Sequence, residues 1–200
     1  MNLRSLGLAK MIRVILFDLG GVLVELVGSP FPESNMNLKE WFESPTAKGF
    51  ERGKISAKEF IKQVKQDLKI SASEEEIVKT IQAWPRHLYP GVDELLETLS
   101  KKYTLAVLSN TNELHEQTIL NKFGLKQKVK QLFFSHKLGC AKPEIEPFQR
   151  VLDTLEVTPE SVLFFDDNAE NVNTAKKLGI NAHQTLGISE VHSVLLKLGL

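Results

Sequence analysis

The sequence predicts an α/β protein with a parallel β-sheet, helices on both faces of that sheet and an all-helical insertion. A short, unbroken apolar run, Val14–Phe17, is typical of a strand buried on both faces of a parallel sheet. From Val92 to Leu200, strand and helix patterns alternate, as a parallel sheet with helical crossovers requires. Between these parts, residues 28–87 contain helix patterns and no convincing strand, which predicts the insertion.

The first predicted strand ends at Asp18. A carboxylate is costly to remove from water unless a cation or hydrogen-bond donors hold it. Open parallel sheets bind ligands at the carboxyl ends of their strands, so Asp18 is a candidate site residue. Gly20 and Gly21 follow, and without Cβ atoms they let the backbone turn sharply and approach a ligand closely. A strand that simply stops at an Asp-containing turn explains this stretch, taken alone, equally well.

The predicted insertion begins in GSPFPESN, residues 28–35, whose many turn formers indicate a linker. Leu38–Phe42 is a short apolar and aromatic segment that we expect Pro45 to stop. Ser56–Glu59 and Ser73–Glu76 both have the sequence of a capping box, in which Ser and Glu side chains bind free N–H groups of the first helical turn. Each is followed by apolar residues with helical spacing, so each is expected to begin an amphipathic helix.

The remaining residues, 1–27 and 88–200, are expected to form the core around the cap at 28–87. Tyr89-Pro90-Gly91 is a turn that returns the chain to the sheet. The later predicted strands are Thr104–Leu108, Leu132–Phe134, Val162–Phe165 and Ile180–Leu186. The later predicted helices are Val92–Leu99, Glu113–Phe123, Pro147–Leu155, a helix that runs to Leu178, and Val191–Leu198.

The composition excludes several classes of function. The 25 basic and 25 acidic side chains give a net charge of zero, which indicates no broad surface for nucleic acid or anionic membrane. No apolar run is long enough to cross a bilayer, and the leading MNLRSLGLAK is a poor signal peptide. Cys140 is the only cysteine, which rules out an intrachain disulfide and fits a reducing compartment. We therefore expect a cytoplasmic protein that binds neither nucleic acid nor membrane, with its oligomeric state left open.

Polar residues follow three of the predicted strands at the same relative position. VILF is followed by Asp18, LAVL by Ser109 and Asn110, and VLFF by Asp166 and Asp167. Because parallel strands align their carboxyl ends, these groups are expected to converge on one edge of the sheet.

Lys142 lies in the loop sequence AKPE before a predicted helix, where Pro143 fixes the local backbone. With the polar strand ends it supplies an ammonium group beside carboxylates and a hydroxyl. This set suits phosphoryl transfer, in which Mg²⁺ and a Lys neutralise charge on the transferred group. Taken singly, Ser109 is better explained by a turn and Lys142 by a solvated loop charge, and Asp166-Asp167 can cap the next helix electrostatically. The ordered combination is what favours a site.

The ordered motifs resemble those of the haloacid dehalogenase superfamily over nearly the whole chain. Its four motifs are matched in order by FDLGGV, LSN, AKPE and FFDDNAEN. The resemblance implies a Rossmann-like core with a helical cap inserted after the first motif. FDLG, ERGKIS, LSNTN and FFDDNA make the chain most similar to the glucose-1-phosphate phosphatase branch.

The resemblance also implies the catalytic roles. Asp18 attacks phosphorus and forms an aspartyl phosphate that water later cleaves. Ser109, Asn110 and Lys142 are expected to bind the phosphoryl oxygens. The substrate class implied is a small phosphorylated metabolite.

One Mg²⁺ is implied as the cofactor, because hard oxygen ligands suit this ion. Its expected ligands are Asp18, the Gly20 carbonyl and Asp167. Asp166 is expected to position the metal's water or the catalytic lysine, and Asn171 to help from the following helix.

Gly20 departs from the family pattern, which usually has a second Asp there as general acid to the leaving group and general base to water. Loss of general acid–base catalysis costs roughly 10²–10⁴-fold in rate. A sugar 1-phosphate reduces this penalty, because its anomeric oxygen departs more readily than a primary alkoxide.

Several further residues are candidates for this chemistry or for the cap side of a pocket. Glu25 is a possible substitute acid, although a carboxylate at the cap hinge explains it better. Arg52, Lys54 and Arg86 are candidates for the pocket, but basic residues are more often solvated. Trp84 is another, but we expect it in the cap core.

We therefore expect a Mg²⁺-dependent phosphomonoester hydrolase that acts through Asp18 on a small sugar phosphate such as a hexose 1-phosphate. A metal-independent haloacid dehalogenase is an alternative, since it also lacks the second Asp, but it has no use for Asp166 and Asp167. A response-regulator receiver has the wrong motif order. A catalytically weak phosphate-binding regulatory protein stays open because of Gly20, and a turnover assay separates it from the enzyme.

Overall fold

The computed structural model describes residues 11–26, 31, 40 and 42–200 of the chain. The predicted linker at 28–35 lies outside the described residues apart from Phe31. Within the predicted segment Leu38–Phe42, residues 38, 39 and 41 lie outside them as well.

The predicted α/β fold is confirmed by a parallel sheet of five strands in the described part of the chain. The strands are β1 (Val14–Phe17), β2 (Val24–Leu26), β3 (Pro85–Leu88), β4 (Thr104–Ser109), β5 (Gln131–Phe134), β6 (Val162–Asp166) and β7 (Asn181–Gln184). The parallel sheet has the order β5-β4-β1-β6-β7, with Phe17 of the central strand paired to Val107 and Phe165. The strand order reverses at β1, so its carboxyl end lies where open α/β sheets bind ligands.

Helices cover both faces of this sheet and occupy the segment between β2 and β3. They are α1 (Pro45–Glu51), α2 (Ala57–Asp67), α3 (Glu74–Ala83), α4 (Val92–Ser100), α5 (Glu113–Asn121), α6 (Leu125–Lys128), α7 (Ser135–Leu138), α8 (Ile145–Leu155), α9 (Ala169–Lys177) and α10 (Gly187–Leu198), with a 3₁₀ turn at Pro159–Ser161. The sequence does not predict α6 or α7, because four residues do not show a helical period. In the described ranges, no helix is both long and apolar enough to span a membrane.

Alternate residues of β1 pack on opposite faces of the sheet. Ile15 and Phe17 join an apolar cluster with α4 and α10, whereas Val14 and Leu16 join a second cluster with α8 and α9. Phe17 also stacks on Phe165, with ring centroids 5.6 Å apart. The strand is thus buried on both faces, as its unbroken apolar sequence predicts, and it gives Asp18 a rigid support.

A third apolar cluster lies between α1, α2 and α3, with one contribution from α5. Its buried members are Phe31, Ala47, Phe50, Phe60, Ile61, Val64, Ile77, Ile81 and Leu114. At the start of α3, Ser73 and Glu76 form the predicted capping box. At the start of α2, the Ser56 hydroxyl accepts from the Glu59 amide at 3.2 Å, which is one half of the predicted box.

Two features of this region differ from the sequence expectation. Antiparallel strands β2 and β3 form a two-stranded ribbon in which Val24 pairs with Leu88. Its second strand, PRHL, starts with Pro and has no alternating apolar pattern, so only the distant partner reveals it. Helix α1, which the sequence does not predict, begins at Pro45, since Ser44 caps this helix and a Pro is well tolerated at its first position.

Candidate active site

A buried cluster of charges lies at the carboxyl end of the central strands. Lys142 Nζ is 3.0 Å from Asp18 Oδ1 and 2.5 Å from Asp166 Oδ2. The Lys142 side chain is 1% exposed and the Asp166 side chain 0%, whereas 12% of Asp18 stays accessible. Ser109 at the end of β4 is also buried and lines the cavity above the cluster. The residues singled out from strand ends and the AKPE loop are thus brought together.

Opposing effects set the protonation of this cluster. Burial alone would lower the pKa of Lys142, but Asp18 and Asp166 together raise it above its ordinary value, so the ammonium form is favoured. Burial raises the pKa of Asp18 to about 7, and Asp166 adds to the rise while Lys142 opposes it. Asp18 Oδ1 has no well-formed hydrogen bond among the described residues despite its closeness to the ammonium group. The cluster therefore has room for a further positive charge beside Asp18.

The lysine loop is held in place by Asn110. The Asn110 side-chain Nδ2 donates to the Lys142 carbonyl at 2.8 Å, and its Oδ1 accepts from the Lys142 amide at 2.9 Å. These two bonds fix the backbone from which the buried lysine extends. Asn110 also lines the cavity, but its side-chain amide is engaged with this loop.

Asp166 is held by donors on several sides. In addition to Lys142, it accepts from Asn171 Nδ2 at 3.0 and 3.1 Å, one bond to each carboxylate oxygen. The Asn168 amide donates to Asp166 Oδ1 at 2.8 Å. These donors keep the Asp166 carboxylate oriented toward the lysine, and the supporting roles of Asp166 and Asn171 stay a prediction.

Three carboxylates form a group with the spacing of a cation site. Asp18, Asp166 and Asp167 each offer one oxygen, and these oxygens lie within 4.8 Å of one another. Gly21, with φ +72°, passes so close that a Cβ there would lie 2.5 Å from Asp167 Oδ2. Burial raises the pKa of Asp167, Asp166 adds to the rise and Lys142 opposes it. A hard divalent cation such as Mg²⁺ fits this oxygen donor set and the open charge position at Asp18.

Gly20 is constrained by a neighbouring side chain rather than by its backbone angles. A Cβ at Gly20 would lie 2.7 Å from Leu26 Cδ1, whereas no backbone atom is as close. Leu26 belongs to the ribbon and lines the cavity. The position where the family usually has an Asp side chain is therefore occupied in part by a flexible apolar one.

The cavity above the cluster has a polar core side and an aromatic cap side. The core contributes Gly20, Ser109, Asn110, Thr111, Asn112 and His115, and the cap segment contributes Phe42, Phe50, Glu51, Phe60 and Trp84. Trp84 lines this cavity and stacks on Phe42 with ring centroids 5.5 Å apart, instead of joining the cap core cluster as expected. Burial lowers the pKa of His115 to about 4, so this residue presents a neutral imidazole to the cavity near neutral pH.

Glu25 lies outside the cavity lining. Residues alternate along β2, so Val24 and Leu26 line the cavity while Glu25 lies between them. Its Oε2 is 3.0 Å from His87 Nε2 on the paired strand. Glu25 is thus a carboxylate of the two-stranded ribbon formed by β2 and β3. Among the basic candidates, Lys54 and Arg86 are exposed.

Sequence reasoning missed two acids near the site. Glu51 lines the cavity, and Glu144 accepts from Arg52 Nη2 at 2.7 Å. The ERGKIS motif, which contains Glu51 and Arg52, was the available signal, but it does not reveal which core residues it meets. Arg52 therefore ties the end of α1 to the loop that carries Lys142.

Comparisons with known proteins agree with this geometry. The family described as haloacid dehalogenase-like hydrolase matches residues 12–179. A D-ribitol-5-phosphate phosphatase of Bacteroides thetaiotaomicron is 28% identical over 193 residues, covering 87% of this chain and 92% of that protein. A phosphorylated carbohydrates phosphatase of Thermotoga maritima is 27% identical, covering 83% and 81%. A crystal structure of an HAD family enzyme from Bacteroides thetaiotaomicron, in complex with magnesium and inorganic phosphate, superposes with a TM-score of 0.77 at 26% identity, covering 86% and 93%.

Proposed function

The chain belongs to the haloacid dehalogenase-like hydrolase family and is a phosphoric monoester hydrolase of small phosphorylated metabolites, and we propose that it cleaves sugar phosphates through an aspartyl phosphate on Asp18. The observation that carries the proposal is the buried ammonium of Lys142 between Asp18 and Asp166. A carboxylate nucleophile, a fixed cation and a free approach from the cavity are what attack on phosphorus requires. The proposed cofactor is Mg²⁺ and the proposed substrate a sugar phosphate such as a hexose 1-phosphate.

Asp18, the Gly20 carbonyl and Asp167 would hold the Mg²⁺. Bound there, the ion would supply positive charge that favours the ionised form of Asp18 and neutralises the phosphoryl oxygens. The close passage of Gly21 by Asp167 and the lack of a well-formed hydrogen bond to Asp18 Oδ1 among the described residues support this site. Asp166 is engaged with Lys142 and Asn171, which suits a supporting position better than direct ligation.

In the first step, a carboxylate oxygen of Asp18 attacks phosphorus and the bond from phosphorus to the ester oxygen breaks. The Lys142 ammonium stays charged next to Asp18, and Ser109 is positioned to donate to a phosphoryl oxygen from the end of β4. Both groups stabilise charge that grows in the transition state. In the second step water attacks the phosphorus of the aspartyl phosphate, which releases inorganic phosphate and restores the Asp18 carboxylate.

We also propose that residues 28–87 act as a cap over the core formed by 1–27 and 88–200. The separate apolar cluster of α1, α2 and α3 supports this division, as does the placement of aromatic side chains opposite the charge cluster. A cap that closes over the site would exclude water around the phosphoryl group. The connections at β2 and β3 are the places where such a movement would bend the chain.

A phosphate-release screen tests the proposed function. Hexose 1-phosphates, hexose 6-phosphates, pentitol phosphates, nucleotides and flavin mononucleotide are assayed with Mg²⁺ and with a chelator. We expect release from sugar phosphates that is lost when the chelator is present. Equal rates with and without divalent cation would contradict the metal site, and turnover of none of these esters would contradict the substrate class.

A further inference from the structure

Hydrolysis of an alkyl phosphate needs a proton at the leaving oxygen, and Gly20 has no side chain to provide one. The substitute must reach the cavity that Gly20 and Ser109 line next to Asp18. Among the described residues that line this cavity, Glu51 is the only carboxylic acid. Glu25, the first acid after Gly20 in the sequence, lies outside the lining and contacts His87.

Glu51 is a cap residue whose position is fixed by the core. Its backbone carbonyl accepts from Ser135 Oγ at 2.6 Å, and the same hydroxyl accepts from the Thr111 amide at 2.9 Å. Thr111 lies two residues after Ser109, so these bonds join Glu51 to the strand end that faces the phosphoryl group.

The two residues after Glu51 strengthen the same attachment. Arg52 Nη2 donates to Glu144, two residues beyond the lysine of the site. Gly53, with φ +63°, passes so close to α7 that a Cβ there would lie 2.3 Å from the His136 carbonyl. The carboxyl group of Glu51 is therefore carried into the cavity by a backbone held at three successive residues.

The charges around Glu51 favour a carboxyl group that can change its protonation. Burial raises the pKa of Glu51, and Glu43 adds to the rise. Arg52 opposes the rise most strongly, followed by Lys142 and then Lys48. The net pKa lies above the ordinary value, which increases the protonated fraction available to a leaving group.

We propose that Glu51 is the general acid and base that replaces the side chain absent at Gly20. In the first step, the ester oxygen leaves with the electron pair of its bond to phosphorus and takes the proton of the Glu51 carboxyl group. In the second step, Glu51 accepts a proton from the water that attacks the aspartyl phosphate, while the electron pair of the broken bond returns to Asp18. Glu51 thus ends the cycle protonated, and this assignment rests on the proposed aspartyl-phosphate mechanism.

The test compares Glu51→Gln with the wild type on two esters in the presence of Mg²⁺. A hexose 6-phosphate has a basic alkoxide leaving group, whereas p-nitrophenyl phosphate has a leaving group that departs without a proton. For the hexose 6-phosphate, kcat/KM is expected to fall by roughly 10²-fold or more. For the aryl ester, kcat/KM is expected to stay within about fivefold, while kcat falls because water attack on the phosphoenzyme loses its base.

Two controls separate this role from a structural one. Glu59→Gln makes the same chemical change at an exposed position of the cap and is expected to keep both activities. Glu51→Asp keeps the carboxyl group and is expected to recover part of the hexose 6-phosphate activity. Its pH profile is expected to keep the basic limb, which Glu51→Gln is expected to lose. Glu25→Gln tests the rival acid and is expected to resemble the wild type.

An equal loss of kcat/KM on both esters in Glu51→Gln, or no loss on either, would overturn the proposal. A loss selective for the alkyl ester in Glu25→Gln would transfer the role to Glu25 and also overturn it. Failure of the underlying mechanism has a different signature. In that case Asp18→Asn turns over substrate at the wild-type rate although no phosphoenzyme can be trapped in it. The two failures are therefore distinguishable in one set of assays.

Discussion

The two sides of the cavity are built in opposite ways. Next to its core side, Lys142 forms ion pairs with the buried Asp18 and Asp166, and Asn110 and Asn171 orient this cluster. On the cap side, aromatic rings line the cavity around a single acid in the described part of the lining. In the proposed mechanism the core holds the atoms that react with phosphorus, and the proposed cap meets the rest of the substrate. We therefore expect that bond breaking and substrate selection can be altered separately.

The largest expected effect comes from Asp18→Asn, which alters the core side alone. The substitution nearly keeps the side-chain shape but removes the nucleophile, so turnover is expected to fall by roughly 10⁴-fold or more. Phosphate release and acid-quench trapping of the phosphoenzyme measure this loss. Cooperative unfolding should be retained, and activity close to that of the wild type would contradict the proposed mechanism.

The next effect concerns the stability of the core side. Lys142→Met leaves the carboxylates of Asp18 and Asp166 buried without their shared cation, so the free energy of unfolding is expected to fall by about 3–5 kcal/mol. Urea unfolding in the absence of divalent cations measures the change. Lys101→Met is the matched control, because Lys101 and its partner Glu97 are both exposed, and such a pair contributes at most about 1 kcal/mol. Equal losses in the two variants would contradict the picture of a buried network.

A third experiment moves the acid from the cap to the core. In the Glu51→Gln background, adding Gly20→Asp together with Leu26→Ala supplies a carboxyl group and the space that Leu26 Cδ1 now occupies 2.7 Å from the Cβ position. The hexose 6-phosphate kcat/KM is expected to recover about tenfold, and that of p-nitrophenyl phosphate much less, because only the alkoxide needs a proton. Leu26→Ala alone in the same background is the control. Equal recovery on both esters would mean that the gain is steric and not due to proton transfer.

The core side could be predicted from the sequence because its signals are local. An apolar strand followed at once by a polar residue marks Asp18, Ser109 and Asp166, and parallel strands bring those ends together. Asn110 shows the limit of such signals. Its place at the phosphate stays a prediction, but no local signal indicates that its side-chain amide binds the backbone of Lys142, which is 32 residues away.

The cap side could not be predicted to the same depth, because its contacts join distant parts of the chain. Arg52 and Glu144 are 92 residues apart, and neither has a local pattern that names the other. The ribbon that pairs Val24 with Leu88 is equally long-range, and its second strand has no alternating apolar pattern. Helical spacing predicted the cap helices, but it did not show that Trp84 and Glu51 line the cavity instead of packing inside the cap or facing solvent.

The smallest expected effect concerns the attachment of cap to core. Arg52→Met removes the ion pair with Glu144, whose side chain is 47% exposed, and a longer one of 3.8 Å with Glu51 Oε1, so the free energy of unfolding is expected to change by less than about 1 kcal/mol. If this loss of about 1 kcal/mol weakened only the closure of the cap over the substrate, KM would rise by at most about fivefold. Urea unfolding and steady-state kinetics on a sugar phosphate measure the two changes, with Lys54→Met as a control in the same motif. Because the Ser135 bond to Glu51 and the close approach of Gly53 remain, the cap should still seat on the core. A large loss of stability would instead show that this ion pair makes the cap and the core unfold as one unit. The two sides of the cavity would then not be independent of each other.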